Sequence, residues 1–374
     1  MKRILLTGVT GNIGAAMTGQ LLRDGHVVYA LARTRASYSV CVRRVAKAIR
    51  TFSDVAVPRA LETGQMVVVV ADMCDQSEMS RLELPSKVDE TWHFASSLKY
   101  MPRDREEILA ANIDGLDNVM AAHARNAEAS AMMYYIGTAF IAGRHCTRLK
   151  EERMALAESM QFNNEYERSK LEAESMFLRA VESGVLQGVV MRPAIIVGST
   201  KSGALVNYNG YYLAVRAWTE LKRYLAKNGE LGQHIRVRAR KDAVLNLVPV
   251  DHAIQLMLAI RDRQPPSGAV YNIANSIECS VADAVDVIAE ELGLNVEVVD
   301  DEAFFGKPRS RYEKLLSYGM TYVLPYANQP PITFETTAAL QASGLCMAWD
   351  LAPNLLRRLT SIFIERKMPN EASE

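Results

Sequence analysis

The segment Thr7-Gly8-Val9-Thr10-Gly11-Asn12-Ile13-Gly14 constrains this chain more than any other. The apolar run Ile4-Leu5-Leu6 precedes it and reads as a strand. Residues 13–24 follow with an amphipathic helical period, and Gly25 stands where a helix would stop. A glycine-rich turn from a first strand into a first helix lets the backbone fold back sharply and lets a pyrophosphate approach it. The helix start adds unpaired N–H groups and the positive end of its dipole. Glycine-rich patterns also occur in ordinary turns. The strand–turn–helix context is what points here to a nucleotide.

The alternation continues to residue 197. Apolar or β-branched runs at 27–32, 66–71, 90–95, 132–137 and 187–197 read as strands. Helical spacing fills 39–52, 105–125 and the stretch from Tyr166 to about residue 182. Arg192-Pro193 marks the end of the strand it sits in, because proline is awkward in a central strand. This order predicts an α/β chain with a Rossmann-type doubly wound parallel sheet over residues 1–198.

The pattern changes after that. Tyr208, Tyr211, Tyr212 and Trp218 sit in an aromatic loop and the helix after it. They either line an apolar substrate site or simply pack a lobe. Residues 244–250 are extended, Asp251 is placed to cap a helix over 253–261, 269–275 reads as a strand and 281–292 as a helix. We read 199–243 and 276–374 as a smaller C-terminal substrate lobe, with a return to the sheet near 244–275.

Composition excludes more than it identifies. Lys plus Arg and Asp plus Glu are both 43, which gives no electrostatic case for nucleic acid. The five cysteines, Cys41, Cys74, Cys146, Cys279 and Cys346, form no Cys-x-x-Cys pair. Neither a disulfide framework nor a metal site is expected, and a reducing cytoplasm is. No run has the length of a membrane span, so no integral membrane segment is expected; peripheral contact is left open. The expected assembly is a monomer or homodimer.

Several residues carry candidate chemistry. No acid lies between Asp24 and Asp54, whereas Arg33 and Arg35 follow the second strand. An acid there would hold the ribose of NAD; arginine suits the 2′-phosphate of NADPH, unless these are plain solvated charges. Asp72 ends the third strand, either to meet an adenine amino group or to cap a turn with Asp75. Ala95-Ser96-Ser97 follows the fourth strand, small enough for a cofactor to pass closely. Tyr166 and Lys170 stand four apart at a helix start, on one face. An ammonium near a phenol favours its ionised form, and such a pair can pass a proton to a carbonyl oxygen. Thr138, at the end of the fifth strand, can reach the same oxygen.

Taken together, the Thr7–Gly14 loop, Asp72, His93 with Ala95, Asn112, Thr138, the Tyr166-x-x-x-Lys170 pair and Arg192-Pro193 resemble the extended short-chain dehydrogenase/reductases over roughly residues 3–275. Leu31-Ala32-Arg33 with the basic segment at Arg43-Arg44, Ile136-Gly137-Thr138-Ala139, the run from Phe162 to Lys170, Met191 to Gly198, and Leu247 to Asp251 are most similar to the thioester reductase and fatty acyl-CoA reductase branch. Tyr326 with Phe334 resembles the end of acyl-CoA reductase catalytic domains. Gly137 departs from that pattern, where a small hydroxyl residue is common.

The resemblance implies NADPH as cofactor. It would be held by Thr7, Gly8, Thr10, Gly11, Asn12, Ile13, Gly14, Arg33, Arg35, Asp72, Ala95, Lys170 and Pro193. It implies that Lys170 holds the nicotinamide ribose and lowers the pKa of Tyr166, that Tyr166 donates the proton, that Thr138 polarises the carbonyl, and that Asn112 orders a water unless it is only a helix hydrogen-bonder. His93 reads as a structural strand-end residue more readily than as a base. The implied substrate is an acyl thioester, free or on a separate acyl or peptidyl carrier protein. The rivals are a free aldehyde or ketone, an NAD-dependent nucleotide-sugar epimerase or dehydratase, and an NADP-sensing protein without catalysis.

Overall fold

The computed structural model describes residues 1–33, 36–349, 351 and 353–367. β1 (Arg3–Thr7) runs through the glycine loop into α1 (Asn12–Arg23). There follow β2 (Val27–Ala32), α2 (Tyr38–Arg50), α3 (Val57–Glu62), β3 (Met66–Val70), α4 (Gln76–Ser80) and β4 (Val88–His93). α5 (Arg105–Leu109) passes through one π-helical turn, Ala110–Asp114, into α6 (Gly115–Asn126). Then come β5 (Ala127–Ile136), β6 (Arg148–Leu149), α7 (Glu165–Glu182), β7 (Gln187–Pro193) and β8 (Ile195–Val197).

The second part holds α8 (Tyr211–Lys227), β9 (His234–Arg238), β10 (Val244–Leu245), β11 (Leu247–Pro249), α9 (Val250–Asp262), β12 (Val270–Ile273), β13 (Cys279–Ser280), α10 (Val281–Leu292) and β14 (Asn295–Val299). It ends in α11 (Asp301–Phe305), α12 (Arg311–Gly319), α13 (Leu324–Asn328), β15 (Thr333–Phe334), α14 (Thr337–Ser343) and α15 (Pro353–Lys367). Among the described residues no helix is long and apolar enough to cross a membrane.

Seven strands form one parallel sheet in the order β12-β7-β5-β4-β1-β2-β3. The order reverses between β1 and β4, and the crevice beyond their carboxyl ends is where such sheets take ligands. Thr7 is level with His93, and His93 with Tyr135, so the ends of β1, β4 and β5 open together. Strand alternation splits the core into two layers. Ile4 and Leu6 share one layer with Met17 and Leu21 of α1. Leu5 shares the other with Leu116 of α6 and Phe177 of α7. All these side chains are fully buried, each contributing about 1.5–3 kcal/mol.

Three details differ from the sequence reading. The single helix expected over 105–125 is widened by the π-helical turn that carries Asn112. Asp251 does not cap α9. Pro249 takes that position, and the Asp251 carboxylate instead accepts from the Thr200 N–H (3.1 Å), the Thr200 hydroxyl (2.5 Å) and the Ser199 hydroxyl (3.3 Å). Of the alternatives for the aromatic loop, packing prevails. Tyr208, Tyr211, Tyr212 and Trp218 are all buried, and the rings of Tyr208 and Tyr212 lie 4.9 and 5.3 Å from that of Phe363 on α15.

Candidate active site

The glycine loop is built for close approach. Gly8 has φ +72°, and a Cβ there would lie 2.6 Å from the Ala95 nitrogen. A Cβ on Gly14 would lie 2.2 Å from the Gly8 carbonyl oxygen. The turn closes through the Gly11 N–H on that same carbonyl (2.8 Å). Gly11 then caps α1 with no side-chain hydrogen bond, and no acid stands in the first turn. The helix start therefore offers open N–H groups and an unopposed dipole, a setting that fits a pyrophosphate. Thr10 lies in the turn and Ile13 packs partly into the core. Thr7 faces the next strand: its hydroxyl accepts from the Ala95 N–H (3.2 Å) and meets His93 Nδ1 (3.0 Å). The Asn12 side chain is committed elsewhere. Its oxygen accepts from the Val206 and Asn207 N–H groups (2.8 and 2.9 Å), and its nitrogen donates to the Asn207 carbonyl (2.6 Å). It ties the loop to the second part of the chain, a use its position in the motif does not reveal.

At the end of β2, Arg33 is largely exposed and 4.0 Å from the Asp72 carboxylate. Arg44 of α2 donates to the Arg33 carbonyl, which anchors the backbone beneath that guanidinium. Arg35 lies outside the described residues. Asp72 also accepts from the Cys74 N–H (3.1 Å), and its carbonyl accepts from the Asp75 N–H (2.9 Å). Asp72 thus shapes a turn, while Asp75 caps α4.

Thr138 follows β5, and Tyr166 stands in the first turn of α7. The Thr138 and Ser96 hydroxyls stand near the Tyr166 phenol and favour its ionised form. Burial and the nearby Tyr100 push it above the usual phenol range, while Thr138 and Ser96 pull the other way. Lys170 stands one turn further along α7. Its ammonium donates to the Ile136 carbonyl (2.8 Å) and stands 4.5 Å from the centre of the Tyr135 ring. Both interactions draw it to the end of β5. Burial lowers the Lys170 pKa to about 7, partly offset by Glu174. His93 is buried, and burial with the Lys170 charge holds it down to about 3. Both favour its neutral form.

Asn112 accepts from the Ser97 N–H (2.7 Å) and donates to the Ser169 hydroxyl (2.9 Å). It straps the strand-end segment to α7 one residue before Lys170. Arg192 and Glu174 form a fully buried pair, with bonds of 2.9 and 2.5 Å. Arg192 also donates to the Lys150 and Glu152 carbonyls, both at 2.9 Å. A Cβ on Gly137 would lie 3.3 Å from the Glu174 carboxylate. Pro193 ends β7, buried beside Ile273 of β12.

Four residues here take roles that the sequence does not show. Ser96 looks merely small, yet its hydroxyl stands near enough to Tyr166 to favour the ionised phenol. Tyr100 meets the Tyr166 ring edge-on at 5.8 Å. Glu167 and Tyr326 are joined at 2.5 Å beside Tyr166. Asn164 followed three residues later by Glu167 is a helix-capping pattern, and it was the available signal for that last pair. A small open groove of about 30 Å³ is lined by Phe140, two residues past Thr138, and by Ile195, Leu245, Tyr326, Ile332 and Phe334 among others. Its lining includes Asn246, Gln329 and Glu278 but no Lys or Arg among the described residues.

The comparisons agree with this architecture. Residues 6–257 match the family described as "Male sterility protein", an NAD-binding family. An aldehyde reductase of Aspergillus flavus is 25% identical over 288 residues, covering 72% of this chain and 25% of that protein. The chain thus spans about a quarter of that relative's length. A dTDP-6-deoxy-L-talose 4-dehydrogenase (NAD(P)(+)) of Kitasatospora kifunensis is 23% identical over 314 residues, covering 84% of this chain and 86% of that protein. The fold is shared with a thiolation-reductase di-domain from an archaeal non-ribosomal peptide synthetase, at a TM-score of 0.75 and 18% identity, over 98% of this chain and 75% of that one. With the family matched across more than half its length, the chain belongs to the male sterility protein family of extended short-chain dehydrogenase/reductases, a family of NAD(P)-dependent oxidoreductases.

Proposed function

We propose that this chain is an NADPH-dependent reductase of acyl thioesters, in which Thr138, Tyr166 and Lys170 are the catalytic set. One observation carries the reading. Phe140, two residues past Thr138, and Tyr326, hydrogen-bonded to Glu167 beside Tyr166, line an apolar groove without a cation among its described lining. Such a groove suits an acyl chain, whereas a nucleotide sugar brings a diphosphate that requires positive charge.

The loop from Gly8 to Gly14 would take the pyrophosphate, and Arg33 with Arg35 the 2′-phosphate. Asp72, Ala95, Lys170 and Pro193 would border the rest of the cofactor. NADPH, when bound, supplies the hydride that reduces the carbonyl carbon. Thr138 and Ser96 donate to the carbonyl oxygen as charge develops there. Tyr166 gives that oxygen its phenolic proton, which its raised pKa keeps in place until needed. Lys170 stands at the end of β5 beneath the site, and Asn112 keeps α7 against the strand ends. With a thioester, the C–S bond of the resulting hemithioacetal then breaks, its hydroxyl proton passes to the leaving sulfur, and a thiol and an aldehyde remain. A free thiol or a carrier-bound one would serve equally, since the di-domain neighbour pairs a reductase with a thiolation domain.

The test follows NADPH consumption and thiol release with acyl-CoA and acyl-carrier thioesters. The reading expects one thiol per NADPH in the first reduction. Consumption with free aldehydes or ketones alone would remove the thioester assignment. The Kitasatospora relative favours a second reading, oxidation or reduction of a nucleotide sugar. Turnover of a dTDP-sugar and none of any thioester would establish that instead.

A further inference from the structure

We propose that Tyr326 is a positioning residue for Tyr166, holding the start of α7 through Glu167 and Asn164 while its ring forms part of the groove wall. The inference rests on the reading above that Tyr166 is the proton donor.

Glu167 directly follows Tyr166 and is 1% exposed. Asn164 caps the helix, its oxygen accepting from the Glu167 N–H at 3.0 Å. A glutamate at this place ordinarily reaches back to the capping residue's own N–H. Glu167 reaches one residue further, accepting from the Asn163 N–H (2.8 Å) and side-chain amide (3.2 Å). The Tyr326 hydroxyl then donates to Glu167 Oε1 (2.5 Å) and accepts from Asn164 Nδ2 (3.0 Å). One hydroxyl from α13 thus closes a ring with both capping side chains. Gln329, three residues on, accepts from Asn163 Nδ2 (3.0 Å).

The other end of Tyr326 belongs to the groove. Its ring meets Phe140 edge-on at 5.5 Å, and Phe140 meets Phe334 at 5.8 Å. Phe140 is two residues past Thr138, so this ring contact borders the second hydroxyl of the site. Substrate in the groove therefore touches a residue that fixes the helix start carrying Tyr166.

The groups facing Glu167 are Tyr326, Asn163 and Asn164, with Arg144 acting as a more distant charge and Tyr100 nearby. Burial raises the Glu167 pKa, and the Tyr326 bond is the largest influence opposing it. Removing that hydroxyl leaves a carboxylate that takes a proton at higher pH, and with it a looser cap.

The experiment compares the full-length wild type with Tyr326→Phe on whichever carbonyl substrate the wild type reduces best. The expected result is a kcat lower by roughly ten- to a hundredfold, with KM and NADPH affinity within twofold. The acidic limb of the kcat profile moves to higher pH. In Glu167→Gln that limb no longer moves when Tyr326→Phe is added. Should Tyr326→Phe not fold, Asn164→Ser keeps the cap acceptor and drops the amide that anchors the phenol; the same fall in kcat at constant KM is expected. An unchanged kcat would overturn the proposal. So would a fall that only tracks the folded fraction, with the pH limb unmoved. If the wild type reduces aldehydes but no thioester, the thioester reading fails while this comparison proceeds on the aldehyde.

Discussion

The Lys170 ammonium lies 4.5 Å from the centre of the Tyr135 ring and donates to the neighbouring Ile136 carbonyl. It is held by the end of β5. Burial brings the Lys170 pKa from 10.5 to about 7. Between those values the unfolded chain carries the proton and the folded chain does not, so this group's contribution to stability rises with pH across that window. Relative to Lys170→Met, the wild type should gain at most about 1.4 kcal/mol per pH unit from pH 7 to 9. Urea unfolding of both proteins at several pH values measures this. A pH-independent difference would mean the ammonium stays charged throughout.

The glycine loop gives a graded expectation. A Cβ at Gly14 would meet the Gly8 carbonyl oxygen at 2.2 Å, whereas one at Gly11 would meet it at 3.3 Å. Gly14→Ala should reduce NADPH affinity at least about a hundredfold, since α1 must move to accept the methyl group. Gly11→Ala should cost clearly less. Fluorescence titration of NADPH compares them, and equal losses would count against this geometry.

Arg33 should read the 2′-phosphate. A charge-assisted hydrogen bond contributes about 1.5–3 kcal/mol, so Arg33→Ala should lower the preference for NADPH over NADH by roughly ten- to a hundredfold. Binding constants for both cofactors give the ratio. A ratio that stays put would return Arg33 to the role of a solvated charge paired with Asp72.

Arg192 and Glu174 predict a stability effect far larger than any exposed pair would. Arg192→Met leaves Glu174 buried without its partner, and frees the Lys150 and Glu152 carbonyls. The expected loss is about 3–5 kcal/mol in chemical unfolding. A loss below about 1 kcal/mol would show that the interior rearranges to satisfy Glu174.

Periodic features were legible in the sequence and long-range polar ones were not. β2 and α10 fall where their spacing puts them, because strand and helix periods are local properties. The return of β12 to the sheet beside β7 shows as an apolar run, though its neighbour does not. Tyr166 and Lys170 could be found by spacing, but the direction in which Lys170 extends depends on β5, 34 residues earlier. The Tyr326–Glu167 bond spans 159 residues and has no local signature beyond the cap. Tyr211 and Tyr212 were ambiguous because an aromatic loop has the same composition whether it lines a cavity or fills one. α15, whose Phe363 ring meets Tyr212, decides between them.

The central claim is that Tyr166 protonates the carbonyl oxygen of a thioester reduced by NADPH. The most direct measurement is single-turnover reduction of an acyl thioester by wild type and Tyr166→Phe, with NADPH affinity determined for both. The account predicts aldehyde and free thiol from the wild type, a rate about 10²–10⁴-fold lower in Tyr166→Phe, and equal NADPH affinity. A wild type that leaves every thioester intact, or a Tyr166→Phe variant reducing one at the full rate, would contradict it.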